Sequence, residues 1–168
     1  MIYQKTLISF SVVDIYKEYT MKIIICRGLP ASGKTTWAKE WVMRDPEHRI
    51  RVNQDDIRFM LGKYWVPARE PIVITIQQEA ILAAMNFGVD IVIDNTNLNK
   101  KVVDTYIKVA EKFKYTVECK DFFNISLEEC IRRNAIRNDS LPKDRQIADT
   151  VIVDMYERYK NIYNLKTN

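Results

Sequence analysis

The sequence predicts an α/β fold in which a parallel sheet is covered by helices on both faces. Short apolar runs recur along the 168-residue chain, helix-length segments separate them, and a glycine-rich turn joins the first run to the first helical segment. Because parallel strands need long crossover connections, this alternation favours a parallel sheet over hairpins. The composition is typical of a globular domain, with 47% hydrophobic and 29% charged residues.

The predicted elements alternate in a regular order. The predicted strands cover residues 22–27, 49–52, 89–93 and 115–123. The predicted helices cover residues 35–43, 56–61, 71–87, 100–113, 126–137 and 145–163. Right-handed crossovers place the carboxyl ends of all strands at one edge of the sheet, where open α/β sheets bind their ligands. We therefore expect function in the polar residues that follow each strand.

Length, charge and cysteine content narrow the classes of function. We expect one domain over residues 21–168, after an extension over residues 1–20 that is either an extra edge strand or a loosely packed segment. Lysine and arginine outnumber aspartate and glutamate by 26 to 22, a mild excess that suits a phosphorylated or nucleic acid ligand. No apolar run approaches the roughly 18 residues of a membrane span. Three scattered cysteines predict packed thiols in a reducing cytoplasm.

The most specific pattern follows the first strand. Residues 28–35 read G-x-x-x-x-G-K-T, which between a strand and a helix indicates a phosphate-binding P-loop. Glycines let successive N–H groups turn inward around an anion, and the helix adds its positive N-terminal end. We expect Lys34 to reach the β- and γ-phosphates of ATP and the Thr35 hydroxyl to bind Mg²⁺. The predicted nucleotide-binding residues of this loop are Gly28, Ala31, Ser32, Gly33, Lys34, Thr35 and Thr36.

Asp55 and Arg58 follow the second strand, and their spacing of three places them on one face of a helix. A carboxylate at this edge can accept the proton of an attacking hydroxyl. An arginine beside it can hold an anionic group of the acceptor through a two-pronged contact. The alternative is that Asp55 only caps the helix. Its position one strand after the P-loop favours the catalytic interpretation.

Asp94 follows the third strand, at the position of a carboxylate that holds a magnesium-bound water. The alternative is a turn rich in asparagine and threonine, in which Asn99 caps the next helix. The two interpretations can hold for different residues of the segment. We predict Thr96 and Asn97 as substrate-binding residues.

Arg133 and Arg137 lie four residues apart in a predicted amphipathic helix, on one flank of its apolar stripe, with Arg132 on the opposite flank. Two arginines on one flank, followed by a polar loop, indicate a lid that closes over phosphates. Such arginines stabilise charge on a phosphoryl group during its transfer. A solvated basic face with ordinary ion pairs is the alternative.

With these residues in place, the chain resembles the 5′-polynucleotide kinase family, the end-healing kinases of bacteriophage and bacterial nucleic acid repair. The resemblance runs from about Met21 to Tyr159 and rests on four blocks, at residues 28–38, 53–58, 95–99 and 132–137. It implies ATP- and Mg²⁺-dependent phosphorylation of a DNA or RNA 5′-hydroxyl. It further implies that Asp55 is the general base and that Arg58 grips the acceptor phosphate. Finally, it implies that the ATP phosphates are held by Lys34, Arg133 and Arg137, with Thr35 on the magnesium.

The chain departs from the family pattern at three points. Asn95 stands where the phage enzyme has an aspartate, so the carboxylate role has either moved to Asp94 or become less important. Gln54 stands where an arginine is common, which removes one expected acceptor contact. The Asp-x-Asp-Gly-Thr motif of the phage phosphatase domain is missing from the sequence, which implies a kinase without that activity.

Two other functions share part of this pattern. A P-loop kinase of a small-molecule hydroxyl, in a sugar, an antibiotic or a nucleoside, uses the same phosphate-handling residues. A non-catalytic nucleotide-gated or nucleic-acid-binding regulator fits less well, because the P-loop lysine and the candidate base are both present. A polynucleotide acceptor predicts a basic groove lined by aromatic residues beside the base, although the same aromatics also suit a core. The residues that would supply such a groove are Phe59, Lys63, Tyr64, Trp65 and Arg69.

Overall fold

The computed structural model describes residues 20–167, which form a four-stranded parallel sheet flanked by helices. The strands are β1 (Lys22–Arg27), β2 (Arg49–Val52), β3 (Asp90–Ile93) and β4 (Thr116–Asp121). They lie in the order β2-β3-β1-β4, and Ile23 of β1 is opposite Ile91 of β3. The predicted α/β fold with a parallel sheet is confirmed. The predicted extension over residues 1–20 lies outside the described residues, apart from its last residue.

Within residues 20–167, α-helices and short 3-10 helices lie between the strands, and a further group of helices follows β4. The α-helices are α1 (Lys34–Met43), α2 (Gln54–Met60), α3 (Glu70–Phe87), α4 (Lys100–Lys112), α5 (Leu127–Asp139) and α6 (Asp149–Tyr163). The 3-10 helices are Pro67–Arg69 and Lys143–Arg145. The side chains of Asn53, Asn99 and Ser126 cap α2, α4 and α5 by accepting a backbone N–H of the first turn. The predicted cap at Asn99 is confirmed.

The hydrophobic core lies on both faces of the sheet. Ile23 and Ile25 of β1 pack with residues of α3 and α4 on one face, and Ile24 and Cys26 pack with α1 on the other. A further apolar cluster joins Leu29 and Leu98 to α5 and α6. Since Leu29 and Leu98 belong to the loops that leave β1 and β3, this cluster fixes α5 and α6 beside the carboxyl edge of the sheet.

Several predicted boundaries are wrong, and specific side-chain hydrogen bonds explain where the helices begin. The last helix begins at Asp149 rather than at residue 145, because the amides of Asn134 and Asn138 both donate to the Ile147 carbonyl at 2.8 Å and hold that segment extended. Helix α2 begins two residues before the prediction, because Asn53 is its cap.

Cys26 and Cys130 are packed as predicted, whereas Cys119 on the edge strand β4 is exposed. Within residues 20–167, none of the helices has the length and apolar character needed to cross a membrane.

Candidate active site

The loop between β1 and α1 has the backbone shape that phosphate binding requires. Gly28 has φ +154° and Gly33 φ +100°, and a Cβ on Gly28 would lie only 2.9 Å from Ser32 Oγ. Ala31 is also left-handed, with φ 61°. The Gly28 N–H donates to the Thr96 carbonyl at 3.0 Å, which ties the loop to the segment after β3. The loop is therefore a strained, anchored turn that glycine alone accommodates at position 28.

Lys34 fills this loop with its side chain. It is 7% exposed, and its Nζ donates to the carbonyls of Gly28 at 3.1 Å and Leu29 at 2.6 Å. Burial lowers the pKa of Lys34 to about 8, although the nearby Asp94 carboxylate opposes the change. Helix α1 starts at Lys34 without a side-chain cap, so its first N–H groups are open to an anion. A buried cation and an uncapped helix start together fit a polyphosphate.

Asp94 lies buried beside the loop and is held by an arginine of β2. Its side chain is 1% exposed, and Oδ2 accepts a hydrogen bond from Arg51 Nε at 3.0 Å. Its Oδ1 is buried and has no hydrogen-bond partner among residues 20–167. An orphaned carboxylate oxygen close to the Lys34 charge fits a magnesium-bound water. Thr35, one residue beyond Lys34, is exposed and carries the hydroxyl expected on the metal.

Asp55, on α2, belongs to a cluster of side chains that are joined by hydrogen bonds and ion pairs. Arg58 Nη1 donates to its Oδ1 at 2.7 Å, and the Tyr64 hydroxyl donates to the same oxygen at 2.8 Å. Arg58 also makes a two-pronged pair with Glu70, at the start of α3. The one-face prediction for Asp55 and Arg58 is confirmed. Since the α2 cap is Asn53, the alternative in which Asp55 caps the helix is wrong.

The two arginines predicted for the lid face different parts of the site. Arg133 Nη1 lies 3.8 Å from the point that a Cβ on Gly33 would occupy, so this guanidinium covers the P-loop. Its Nε donates to Glu129 at 2.7 Å. Hydrogen bonds from Arg132, which has the larger effect, and from Arg133 lower the pKa of Glu129 to about 2. Arg137 donates to the buried Asn134, and its Nε is buried without a partner in the described chain. The Arg137 guanidinium is therefore directed inward, whereas the Arg133 side chain is 39% exposed and combines a helical ion pair with its position over the P-loop.

The segment after β3 divides between anchoring and lining roles. The Asn97 amide donates to the carbonyls of Cys26 at 2.7 Å and Ile93 at 3.2 Å, and its side chain is buried. This residue holds the ends of β1 and β3 together, and its role as a substrate contact stays a prediction. Asn95 Oδ1 accepts from the Gln54 N–H at 3.0 Å and fixes the start of α2. Thr96 lines a cavity of about 200 Å³, and Asn95 and Asn97 line it as well, opposite residues of α6 that include Arg158 and Tyr159.

Three residues of the site escaped sequence reasoning in their observed roles. Arg51 neutralises Asp94, Glu70 holds Arg58, and Tyr64, which was considered only for stacking, bonds to Asp55. Arg51 is one of two arginines in a short, half-buried strand, and this is the signal that could have indicated its role. Glu70 and Tyr64 lie in a segment without a motif, and only the folded chain brings them to α2.

The comparisons with known proteins agree with this geometry. A family model described as an AAA domain matches residues 23–162. A protein of Autographa californica nuclear polyhedrosis virus, whose name ascribes to it polynucleotide kinase and RNA ligase activities, is 25% identical over 160 residues. That match covers 86% of this chain and 22% of the viral protein.

Solved structures share the fold. A chain of the Pnkp1/Rnl/Hen1 RNA repair complex superposes with a TM-score of 0.71 and 25% identity, covering 88% of this chain and 47% of that one. A Chloroflexus aurantiacus protein described as a kinase has a TM-score of 0.60 at 14% identity, with 86% and 98% covered, which shows the fold alone. This chain thus spans about a fifth of the viral relative and about half of the repair-complex chain. The match over residues 23–162 shows that the chain belongs to the AAA-domain family, as a nucleotide-binding P-loop domain with the fold of the P-loop kinases.

Proposed function

We propose that this domain transfers the γ-phosphate of ATP to the 5′-hydroxyl of a polynucleotide, DNA or RNA. The observation that carries the choice of acceptor is the surface beside Asp55. Phe59 is 37% exposed and Trp65 is 53% exposed. Large aromatic side chains that remain in solvent next to a catalytic carboxylate are suited to stacking on nucleobases.

Cations accompany these aromatic rings. The Arg145 guanidinium lies 3.9 Å from the centroid of the Phe59 ring, and the Arg58 guanidinium lies 5.3 Å from that of Trp65. Lys63, between them in sequence, is exposed. Cations beside exposed aromatic rings suit a nucleic acid strand, which carries both bases and phosphates. Arg69 is exposed as well, but its guanidinium donates to the Leu61 carbonyl at 2.8 Å and supports the loop.

The relatives support the same acceptor. The viral protein is named for polynucleotide kinase activity, and the repair-complex chain belongs to an assembly described as an RNA repair complex. Both are longer than this chain, so their names bear on the proposal and do not decide it. A small-molecule acceptor would leave the exposed aromatic surface without a use.

Seven side chains of the site have a role in this reaction. Lys34, the loop N–H groups and Arg133 bind and orient the phosphates, and Arg137 adds positive charge between the lid helix and the acceptor. Asp55 accepts the proton of the attacking 5′-hydroxyl, and Arg58 holds the adjacent phosphate of the strand. Thr35 and, through a water, Asp94 would hold Mg²⁺, which when bound neutralises charge on the phosphates. The described residues contain no cluster of three acidic, histidine or cysteine side chains for a metal, which agrees with an ion held mainly by phosphates.

A panel of acceptors tests the proposal. Purified protein with γ-labelled ATP and Mg²⁺ is offered an oligonucleotide with a 5′-hydroxyl, the same oligonucleotide with a 5′-phosphate, free nucleosides, sugars and aminoglycosides. We expect label on the 5′-hydroxyl oligonucleotide alone. Label on a nucleoside, sugar or aminoglycoside with none on the oligonucleotide would contradict the proposal and identify a small-molecule kinase. Trp65→Leu should raise the KM for the oligonucleotide and leave the KM for ATP unchanged.

A further inference from the structure

Tyr64 makes a contact with the candidate base that the proposed reaction does not yet use. Its hydroxyl donates to Asp55 Oδ1 at 2.8 Å, and Arg58 Nη1 donates to the same oxygen at 2.7 Å. Two donors occupy the acceptor capacity of one carboxylate oxygen. The other oxygen, Oδ2, accepts no hydrogen bond from any residue in the described range. One oxygen of the carboxylate therefore accepts two hydrogen bonds, and the other is free to accept one from a substrate.

The Tyr64 ring is itself held in place. It packs against Phe59 of α2, with 5.3 Å between the ring centroids, and Arg145 covers Phe59 at 3.9 Å. Tyr64 belongs to the irregular segment between α2 and the 3-10 helix Pro67–Arg69. A tilted ring contact with a helix residue and one charge-assisted hydrogen bond thus fix this side chain of an irregular segment.

The Tyr64 hydroxyl keeps its proton in this environment. Burial, and after it the Asp55 charge, raise the pKa of Tyr64, while the Arg58 and Arg137 charges act in the opposite direction. Tyr64 therefore donates its hydrogen bond throughout the pH range in which a kinase is assayed. A donor that does not titrate gives Asp55 Oδ1 the same partner at each stage of the reaction.

We propose that Tyr64 is a positioning residue for the general base: with Arg58 it saturates Asp55 Oδ1 and leaves Oδ2 to receive the proton of the acceptor hydroxyl. This inference rests on the proposed function. The geometry also defines a competing possibility, in which the Tyr64 hydroxyl occupies the place of the acceptor hydroxyl and must leave before the reaction. The two possibilities predict opposite kinetic effects, because a positioning group assists the reaction and an occupant of the acceptor position inhibits it.

Three variants distinguish the positioning role of Tyr64 from occupation of the acceptor position. Tyr64→Phe removes the hydroxyl and keeps the ring on Phe59, and Tyr64→Ala removes both. Tyr115→Phe is the matched control, because its hydroxyl donates to the Val89 carbonyl at 3.0 Å, at the opposite end of β3 from Asp94. We expect Tyr64→Phe to lower kcat by about tenfold, the range of one charge-assisted hydrogen bond, and to leave both KM values within about twofold. Tyr64→Ala should lose at least as much, and Tyr115→Phe should keep the kcat of the wild-type protein.

Two kinetic results would overturn the inference. An unchanged kcat in Tyr64→Phe would show that the hydroxyl does not act through Asp55. A lower KM for the acceptor with an equal or higher kcat would show that Tyr64 occupies the acceptor position. In either case the wild-type protein still labels a 5′-hydroxyl, so the proposed function survives.

A measurement without acceptor keeps the inference independent of the reaction. The side-chain carboxyl ¹³C resonance of Asp55, assigned through Asp55→Asn, should move in Tyr64→Phe and stay in place in Tyr115→Phe. An unmoved resonance in Tyr64→Phe overturns the role of Tyr64. Failure of the wild-type protein to label any 5′-hydroxyl would instead count against the proposed function.

Discussion

Arg58 and Glu70 form a two-pronged ion pair that fixes the helix of the candidate base to the next helix. Arg58 Nε donates to Glu70 Oε1 at 2.9 Å, and Nη2 donates to Oε2 at 2.7 Å. The hydrogen bonds from Arg58 lower the pKa of Glu70. The third guanidinium nitrogen, Nη1, is thereby directed to Asp55. Under the proposed function, Glu70 would therefore determine where Arg58 presents its remaining N–H groups to the acceptor phosphate.

Glu70→Gln should therefore impair the acceptor site more than the nucleotide site. The amide keeps the shape of the side chain but not the charge that orients the guanidinium. We expect about a tenfold rise in the KM for a 5′-hydroxyl oligonucleotide and little change in the KM for ATP. Steady-state kinetics with each substrate varied in turn provides the test, with the exposed Glu79→Gln on the same helix as control. A rise of equal size in both KM values would show that Glu70 only stabilises the fold.

Arg133 and Arg132 offer a matched pair on one helix. Both bind Glu129 at 2.7 Å, but Arg133 lies over Gly33 of the P-loop, whereas Arg132 is 62% exposed. Arg133→Ala should lower kcat by tenfold or more and weaken ATP binding, because a cation next to the phosphates is removed. Arg132→Ala should leave both values near those of the wild-type protein. Similar losses in the two variants would place the effect in the helix and not in the guanidinium over the loop.

The buried Lys34 predicts that ATP binding takes up protons at alkaline pH. With a pKa of about 8, more than half of these side chains are neutral at pH 8.5 in the free protein. Bound phosphates favour the charged form, so binding should draw a proton from the buffer. Titration calorimetry in buffers of different ionisation enthalpy measures the uptake, and Lys34→Met should abolish it. The absence of uptake in the wild-type protein would mean that Lys34 is fully charged before ATP arrives.

The lowered pKa of Lys34 also determines the direction in which the stability of the free protein changes with pH. Its pKa in the folded protein, about 8, lies below the ordinary value of 10.5. Between these pH values the unfolded chain binds more protons than the folded one, so the Lys34 contribution to the free energy of unfolding rises with pH across this window. Urea denaturation at pH 8 and pH 10, compared between the wild-type protein and Lys34→Met, should reveal this contribution as a difference between the two pH dependences.

Asn97 should prove to be a structural residue. Its buried amide joins the carbonyl ends of β1 and β3, and alanine would leave the carbonyls of Cys26 and Ile93 without this donor. We expect Asn97→Ala to lower the free energy of unfolding by about 1–3 kcal/mol. Urea denaturation measures this loss, and Asn86→Ala, at an exposed helix position, is the control. An unchanged stability together with a raised acceptor KM would contradict the structural role and support Asn97 as a substrate contact.

The parts of this protein that the sequence predicts are those with local causes. The apolar run of β1, the G-x-x-x-x-G-K-T turn and the asparagine cap of α4 each depend on a few consecutive residues. The pair of Asp55 and Arg58 was also predictable, because a spacing of three on a helix fixes their proximity.

The remaining features depend on distant parts of the chain. Arg51 and Asp94 are 43 residues apart, and Arg58 and Glu70 are 12 apart across an irregular segment. Neither pair has a periodic pattern that sequence reasoning can detect. The late start of α6 has the same origin, because side chains of α5 hold Ile147 extended against the local helical preference. Tertiary hydrogen bonds overrode local propensity at that point.

The most direct test of the account is single-turnover label transfer from ATP to a 5′-hydroxyl oligonucleotide, measured for the wild-type protein and Asp55→Asn alongside ATP affinity. We expect efficient transfer by the wild-type protein and a loss of at least about a hundredfold in the variant, with ATP affinity nearly unchanged. Transfer at the wild-type rate by Asp55→Asn would contradict the assignment of the general base. Loss of ATP affinity in the variant would place Asp55 in the nucleotide site instead of the acceptor site.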